Sequence, residues 1–517
     1  MRPDGIFGRG AVVGVDIGTS KVKALAFSPD GRAITSAEEE YPLETPNPDY
    51  VEQDANAVYA AAMGALHRVV KEVSLRGTDV LAIGFSSAMH GVLPVDGHGE
   101  PMGPFITWMD RRASDIAEEW RADGTATGLY LRTGVPMHPM LPVSKLRWLS
   151  EHQPDLFKRA ARFVSMKELL VYRWVGEWLV DHGIASATGL FDVFTRRWDG
   201  RALEAAGVTP ERLSTPVSTY TTRSDVKPSV VAALGLHHSA SLVLGSSDGA
   251  LANLGVGALA PTDLAATLGT SGAVRATVSD PVIDKQGRAF CYAFDDEHYI
   301  VGGSTSSAGA SLQWVFELVY PDVPHEKRFE HAIASIRHLA DTTSDIICLP
   351  FFSGERAPYW DARLRGAFVG LDLSHHREAL VWAAVEGVVL ALRSVERVVT
   401  EKIGTPSRVL LSGGLTHSPL IRQLVADVFG IEAWLPNQPE ASAFGAAIMA
   451  AKAIGAISRL DEVAPLITTV EKLAPDPARA ARYRDQHERY EILARALQAY
   501  YHFGQHLVSA PAQGAVP

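Results

Sequence analysis

The first apolar run, Ala11 to Val15, breaks at Asp16-Ile17-Gly18-Thr19-Ser20 and resumes from Val22 to Phe27, ahead of Pro29-Asp30-Gly31. Two short apolar stretches joined by glycine and small polar residues predict a β-hairpin with a polar tip. The same pattern returns about half a chain later, as Leu264 to Leu268, Gly269-Thr270-Ser271-Gly272 and Ala273 to Val278. Between the two copies, Leu242 to Gly245 predicts a strand, Ser246-Ser247-Asp248-Gly249 a turn, and Ala250 to Val256 a short helix. Beyond the second copy the chain alternates. Ile346 to Phe352 predicts a strand, Glu378 to Ile403 a long helix with apolar residues at helical spacing, and Val409 to Leu411 a strand ending in the loop Ser412-Gly413-Gly414. Helix Pro419 to Phe429, strand Ile431 to Leu435 and helix Ala441 to Ile454 follow. Strands alternating with helices mean an α/β architecture. The repeated hairpin suggests two similar domains, each offering a tip to a shared cleft. The division is expected near Gly257, giving an N-terminal domain over 1–257, a C-terminal domain over 258–470, and a helical segment with a tail over 471–517. Ser509 to Pro517 is small and proline-containing and is expected to fray.

Length supports the two-domain reading, because 517 residues exceed the roughly 250–300 at which a single hydrophobic core stops growing. A composition of 47% hydrophobic and 21% charged residues is that of a folded globular chain. The net charge of −11 argues against non-specific nucleic-acid binding, which needs a basic field, so no nucleic-acid partner is expected. It also means that an anionic substrate must be met by local cations. Cys291 and Cys348 are far apart in apolar runs and read as buried reduced thiols, which excludes a disulfide scaffold. The first ten residues carry two arginines and no apolar core, and no run approaches the roughly 20 apolar residues that span a bilayer. A cytoplasmic protein with no membrane partner is the expectation.

The chain has no GxxxxGK[ST] segment and no GxGxxG opening a helix after a strand. A hairpin tip of Gly, Thr and Ser can bind phosphate in their place, since backbone N–H groups and hydroxyls face the oxygens and glycine removes the Cβ in the way. The adjacent carboxylate of Asp16 can hold Mg²⁺, directly or through its waters. One such tip alone reads as an ordinary turn; two copies, one carrying Asp, point to phosphates. The Ser412-Gly413-Gly414 loop lets a base or ribose lie close to backbone. Gly245-Ser246-Ser247-Asp248-Gly249 fits GxSxG between a strand and a helix and so supports two chemistries. In a hydrolase, Ser247 attacks an acyl carbon with His298 or His417 as base. In a kinase, Asp248 takes the proton of an attacking hydroxyl. The hydrolase reading leaves both hairpins unexplained. Ala88-Met89-His90-Gly91 follows the apolar run Leu81 to Phe85 and puts an imidazole at a strand end. Trp108-Met109-Asp110-Arg111-Arg112 sets a flat ring beside an acid and bases, as a sugar site requires, or else marks a helix start capped by Asp110. His237-His238 and His375-His376 lack metal-ligand spacing and read as surface residues.

These blocks resemble the FGGY family of carbohydrate kinases over nearly the whole length. The resemblance is carried by Val15-Asp16-Ile17-Gly18-Thr19-Ser20, Met89-His90-Gly91, Thr107-Trp108-Met109-Asp110-Arg111, Ser247-Asp248-Gly249-Ala250 and Leu268-Gly269-Thr270-Ser271-Gly272. Gly354-Glu355-Arg356-Ala357-Pro358 and Gly413-Gly414 with Ser418 complete it. It implies two actin-like ATPase domains of the ribonuclease H-like type with ATP in the cleft between them. It implies Asp248 as catalytic base, and Asp16, Gly18, Thr19 and Ser20 at the phosphates and Mg²⁺, with Asp16 the metal ligand. Gly269 and Thr270 would cover the phosphates, while Gly309, Gln313, Gly413, Gly414 and Ser418 would approach the nucleoside. The sugar or sugar acid would meet Met89, His90, Trp108, Asp110 and Asp248; a homodimer is compatible with the resemblance. The wording of Arg132 to Met140 with Lys145, of Ser165-Met166-Lys167-Glu168 and of Ala185 to Gly189 is most similar to gluconokinases, with xylulokinases the nearest rival. That implies D-gluconate, phosphorylated on its 6-hydroxyl, with Arg132, His138 and Lys145 as nearby cations. Domain closure is then expected to keep water from the phosphoryl group.

Overall fold

A computed structural model describes residues 5–237, 240–339, 345–438 and 440–503. By its contacts the chain divides into two units. One comprises Met1–Ala265, Arg275–Val301 and Pro436–Val470; the other Ala266–Val274, Gly302–Leu435 and Glu471–Pro517.

The first unit is built on β1 (Ala11–Ile17), β2 (Lys21–Phe27), β3 (Ala33–Glu40), β4 (Val80–Ser87), β5 (Thr222–Arg223) and β6 (Ser241–Ser247), in the order β5-β6-β4-β1-β2-β3. β1 and β2 pair antiparallel as the expected hairpin, and β1 pairs parallel to β4, as β4 does to β6. Central β1 is almost continuously buried, which explains its unbroken apolar sequence. The helix Ala55–Leu75 buries Ala55, Val58, Ala62, Leu66, Val69 and Val73, spaced three and four apart, and Asp54 caps it by accepting from the Asn56 amide. The helix Ala441–Ala453 lies so close to the sheet that a Cβ on Gly14 or Gly84 would run into the carbonyl oxygens of Ala443 and Ala446. Its alanine-rich sequence is the counterpart of those strand glycines.

The remaining long strands are β7 (Asp263–Leu268), β8 (Gly272–Val278), β9 (Phe290–Ala293), β10 (Tyr299–Thr305), β11 (Arg408–Ser412), β12 (Ala433–Pro436) and β13 (Thr469–Leu473). They form a seven-stranded sheet in the order β9-β10-β8-β7-β11-β12-β13. In the second unit the long helix runs over Arg377–Ile403 and is buried along most of its length. The helix Pro419–Phe429 carries its start and stop signals in the sequence: Ser418 as N-cap, Pro419 in the first turn, and left-handed Gly430 after the end.

Local expectations differ from the structure at their edges. The strand expected over Ile346 to Phe352 is confined to Ile347–Leu349, because Pro350 has no N–H to continue a ladder. The helix expected from Ala250 begins two residues earlier, at Asp248. The helix after Trp108 starts at Ser114 with Ala113 as N-cap, so Asp110 is not a helix cap. Cys291 and Cys348 are buried free thiols. His238 and Ser509 to Pro517 lie outside the described residues. No helix of the described residues is long and apolar enough to cross a membrane.

Candidate functional site

The tip of the β1–β2 hairpin is held from three sides. The Tyr41 hydroxyl donates to the Gly18 carbonyl at 2.6 Å, the Gln53 side-chain amide to the Thr19 carbonyl at 2.5 Å, and the Trp108 indole N–H to Thr19 Oγ1 at 2.8 Å. Asp16, one residue before the end of β1, accepts from Ser86 Oγ at 2.6 Å. Burial, and then the nearby carboxylate of Asp248, push its pKa from 3.8 up to about 6, against the lowering effect of Ser86 and Lys23. Lys23 is itself held by Glu440 at 2.6 Å.

Asp248 is the first residue of the helix Asp248–Gly255, at the carboxyl end of β6, where ligands of α/β sheets bind. Its Oδ1 accepts from the Gly249 amide at 2.6 Å. Gly245 has φ +66 and sits at a register shift between β6 and β4, where a Cβ would strike the Phe85 carbonyl. The first glycine of the GxSxG pattern therefore serves a bulge that aims the strand end. Ser247 is fully buried, its backbone is ordinary extended chain, and its hydroxyl has no hydrogen-bond partner among the described residues. His298 is engaged by Asp295 at 3.0 Å. A nucleophilic serine with a paired base is thus absent from this segment. Beneath it, Lys167 Nζ donates to the Ser246 carbonyl at 2.9 Å and pairs with Asp181 at 2.6 Å, both side chains being buried.

The sugar-site candidates lie on two loops of the same unit. His90 follows β4 with φ +67, buried, its Nδ1 2.7 Å from the Ala187 carbonyl. Lys145, fully buried on the helix Pro142–His152, donates to the carbonyls of His90 at 2.8 Å and Thr107 at 2.6 Å. One ammonium thus ties together the loops that carry His90 and Trp108, and burial pulls its pKa from 10.5 down to about 7. Met89 packs against Val180, Ile184, Ala185 and Phe191. Asp110 stands a step back. It is fully buried, Oδ1 accepting from the Arg112 amide and Nε, Oδ2 from the Val51 amide and Arg112 Nη2. Arg112 in turn bonds Glu52 and lies 3.9 Å over the Tyr50 ring. In this arrangement Asp110 anchors the Trp108 loop.

In the second unit, Gly269, Thr270, Gly309, Gln313 and Gly414 line one cavity of about 470 Å³, walled further by Phe316 and Arg328. Volume and apolar wall suit a nucleoside. The Gly309 amide donates to the Gly269 carbonyl at 3.0 Å, and a Cβ on Gly309 would stand 2.7 Å from that oxygen. Gly413, φ +94, brings its loop against Leu268, where a Cβ would lie 2.5 Å from the carbonyl oxygen. Ser418 lines a separate cavity with Trp382 and Gln423, and its side chain caps its own helix by accepting from the Ile421 amide. Glu355, buried, accepts from Thr305 Oγ1 at 2.8 Å and from the amides of Ser306 and Arg356 at 2.6 and 2.8 Å. The Gly354–Pro358 block therefore fixes the chain that leaves β10.

In unit one the structure brings Asp16, Gly18, Thr19, Trp108, His90 and Asp248 into one connected region, and in unit two it brings Gly269, Thr270, Gly309, Gln313 and Gly414 around one cavity. Sequence reasoning missed Glu440, the Lys167–Asp181 pair and the tie made by Lys145. The sequence marks Lys145 as a cation near the sugar acid, but nothing in it signals the carbonyls that it ties together.

Residues 11–255 match the N-terminal domain and residues 264–454 the C-terminal domain of the FGGY family of carbohydrate kinases. The chain is 33% identical over 497 residues to a gluconokinase of Bacillus subtilis (strain 168), covering 95% of this chain and 96% of the relative. Two crystal structures from Lactobacillus acidophilus, one of a gluconate kinase and one of a ligand-bound xylulose kinase, each superpose with a TM-score of 0.89 at 29% identity. Each match covers 95% of this chain and 99% of the other. With both domains of the family matched in order and the fold shared along nearly its full length, the chain belongs to the FGGY family of carbohydrate kinases and has its two-domain, ATPase-like α/β fold.

Proposed function

We propose that the enzyme transfers the γ-phosphoryl group of ATP to the 6-hydroxyl of D-gluconate, giving 6-phospho-D-gluconate and ADP. The observation that carries the choice of acceptor is the match to a gluconokinase along almost the entire chain. Phosphoryl transfer asks the protein mainly for positioning and charge. Asp248 accepts the proton of the 6-hydroxyl as that oxygen bonds to phosphorus and the bond to the ADP oxygen breaks. Its place at a strand end and helix start, where the Gly249 amide donates to Oδ1, supports this role. Met89, His90 and Trp108 line the polyol, and Asp110 holds the Trp108 loop. Gly18, Thr19 and Ser20 on one hairpin, and Gly269 and Thr270 on the other, offer amides and hydroxyls to the phosphates. Gly309, Gln313, Gly413 and Gly414 serve the nucleoside, while Ser418 caps its own helix beside a separate cavity.

Mg²⁺ fits the residues present. Among the described residues there is no cluster of three or more acids, histidines or cysteines to form a protein cage, and Mg²⁺ bound with ATP needs only one or two carboxylates because it keeps several waters. The raised pKa of Asp16 beside Asp248 marks negative charge that a cation would relieve. Asp16 would hold it, and the ion would supply positive charge to the phosphate oxygens. On the same reading the catalytic halves are 1–257 and 258–470, followed by a C-terminal helical segment over 471–517, and the enzyme works in the cytoplasm.

The test is to compare kcat/KM for gluconate, xylulose, ribulose and glycerol with ATP and Mg²⁺ in one buffer, following ADP release. Gluconate is expected to lead. Xylulose or another uncharged acceptor ahead of gluconate by more than tenfold overturns the choice of acceptor and leaves the kinase chemistry standing.

A further inference from the structure

A sugar acid brings a carboxylate into a chain that is already acidic, and stripping it of water without a partner would cost several kcal/mol. The cations marked by the sequence are committed elsewhere. Arg132 is 42% exposed, bonds Asp199 through Nε at 2.6 Å and has Asp192 within 3.8 Å. Lys145 uses two of its three N–H groups on the His90 and Thr107 carbonyls. His138 accepts from the Met140 amide through Nδ1.

Arg275 stands next to the base itself. It sits on β8, and its guanidinium lies on Gly249, so close that a Cβ there would be 3.0 Å from both Nε and Nη2. A side chain after Asp248 would press on it. Burial lowers its pKa, against the raising effects of Asp248 and then Tyr292, and the Tyr292 ring is 6.0 Å from that of His90. Arg275 therefore stands beside the base, and part of its surface stays accessible. A guanidinium keeps its charge when buried, and its planar fork offers five N–H groups, more than one carboxylate uses. One edge can face Asp248 while another receives a second anion.

We infer that Arg275 is the specificity-determining residue that receives the carboxylate of the acceptor. The inference rests on the sugar-acid reading and names the group that makes the site prefer an acid to a neutral polyol. Arg275 keeps sugar acids in the site through charge-assisted hydrogen bonds and contributes nothing comparable to a neutral polyol.

The experiment compares D-gluconate with D-glucitol, which has the same carbon chain with CH₂OH in place of the carboxylate, in wild-type enzyme, Arg275→Met and Arg275→Lys. KM and kcat are measured for gluconate, the inhibition constant for glucitol, and KM for ATP. Arg275→Met is expected to lower kcat/KM for gluconate about 100-fold, mainly through KM, as loss of a charge-assisted pair does. Glucitol inhibition and KM for ATP should move less than about threefold on the same grounds, and Arg275→Lys should restore part of the loss. Equal losses for gluconate and glucitol, or a fall in kcat at unchanged KM, overturn the inference and make Arg275 a positioning residue for Asp248. Circular dichroism confirms that each variant is folded. Failure of wild-type enzyme to phosphorylate any sugar acid overturns the underlying reading before a variant is compared.

Discussion

Replacing Lys145 with methionine should damage the sugar site while leaving the protein nearly as stable as before. The substitution keeps the buried aliphatic stem and removes the ammonium that donates to the His90 and Thr107 carbonyls. Two buried acceptors lose a donor, at about 1–3 kcal/mol each. Against that, a drop in pKa from 10.5 to about 7 means that burying this ammonium costs the fold about 4 kcal/mol at pH 7, at about 1.4 kcal/mol for each pH unit. The two effects oppose each other, and the net change should be within about 2 kcal/mol. The local effect is not offset. His90 is held at φ +67, a conformation worth about 1–3 kcal/mol of strain, and without its carbonyl tie it relaxes. The kcat/KM for the sugar should fall about 10- to 100-fold with KM for ATP unchanged. Linkage adds a second signature. Because the folded pKa is depressed, the unfolded chain binds the extra proton between about pH 7 and 10.5, so wild-type stability gains from this site as pH rises through that window. The variant should lack that gain. Thermal melting at pH 7 and 9 with steady-state kinetics reads both. Unchanged sugar KM, or a variant too unstable to fold, refutes the reasoning.

Asp248→Asn should lower kcat by roughly 10²–10⁴-fold with little change in ATP affinity, as loss of a general base does; near-full activity in this variant with loss in Ser247→Ala would return the serine to consideration. Asp16→Ala should raise the Mg²⁺ requirement far more than the sugar KM, read by titrating each separately. Since the Asp16 pKa is raised to about 6, the free enzyme should lose Mg²⁺ affinity as pH falls through 6, and this should vanish in the variant. The same raised pKa means that the site's stability contribution is full below 3.8 and lost as pH rises toward 6. Gly309→Ala, whose Cβ would meet the Gly269 carbonyl at 2.7 Å, should raise KM for ATP with the sugar KM unmoved; a shift confined to the sugar would contradict the cavity's role.

The two hairpins and the strand end at Asp248 were legible in the sequence for one physical reason. Each is a local event, an apolar run meeting glycine and small polar residues, and local turn chemistry does not depend on the rest of the fold. What surrounds them was not legible. Lys145 reaches carbonyls 55 and 38 residues away, and Lys167 meets Ser246 across 79. No periodicity records such pairings. Asp110 shows the limit from the other side: its residue type suits a sugar ligand, yet both oxygens are taken up by Arg112 and Val51. The GxSxG segment was ambiguous because its first glycine answers a backbone demand, a bulge at φ +66, that a nucleophile elbow and a kinase loop share.

The central claim, transfer of a phosphoryl group from ATP to the terminal hydroxyl of a sugar acid, is tested most directly by identifying the product. Purified enzyme with ATP, Mg²⁺ and D-gluconate is followed by ³¹P and ¹³C NMR. A phosphomonoester on C6, formed one for one with ADP and suppressed by Asp248→Asn, is the predicted result. Free phosphate without ester, an ester on another carbon, or no reaction with gluconate where xylulose is phosphorylated would contradict it.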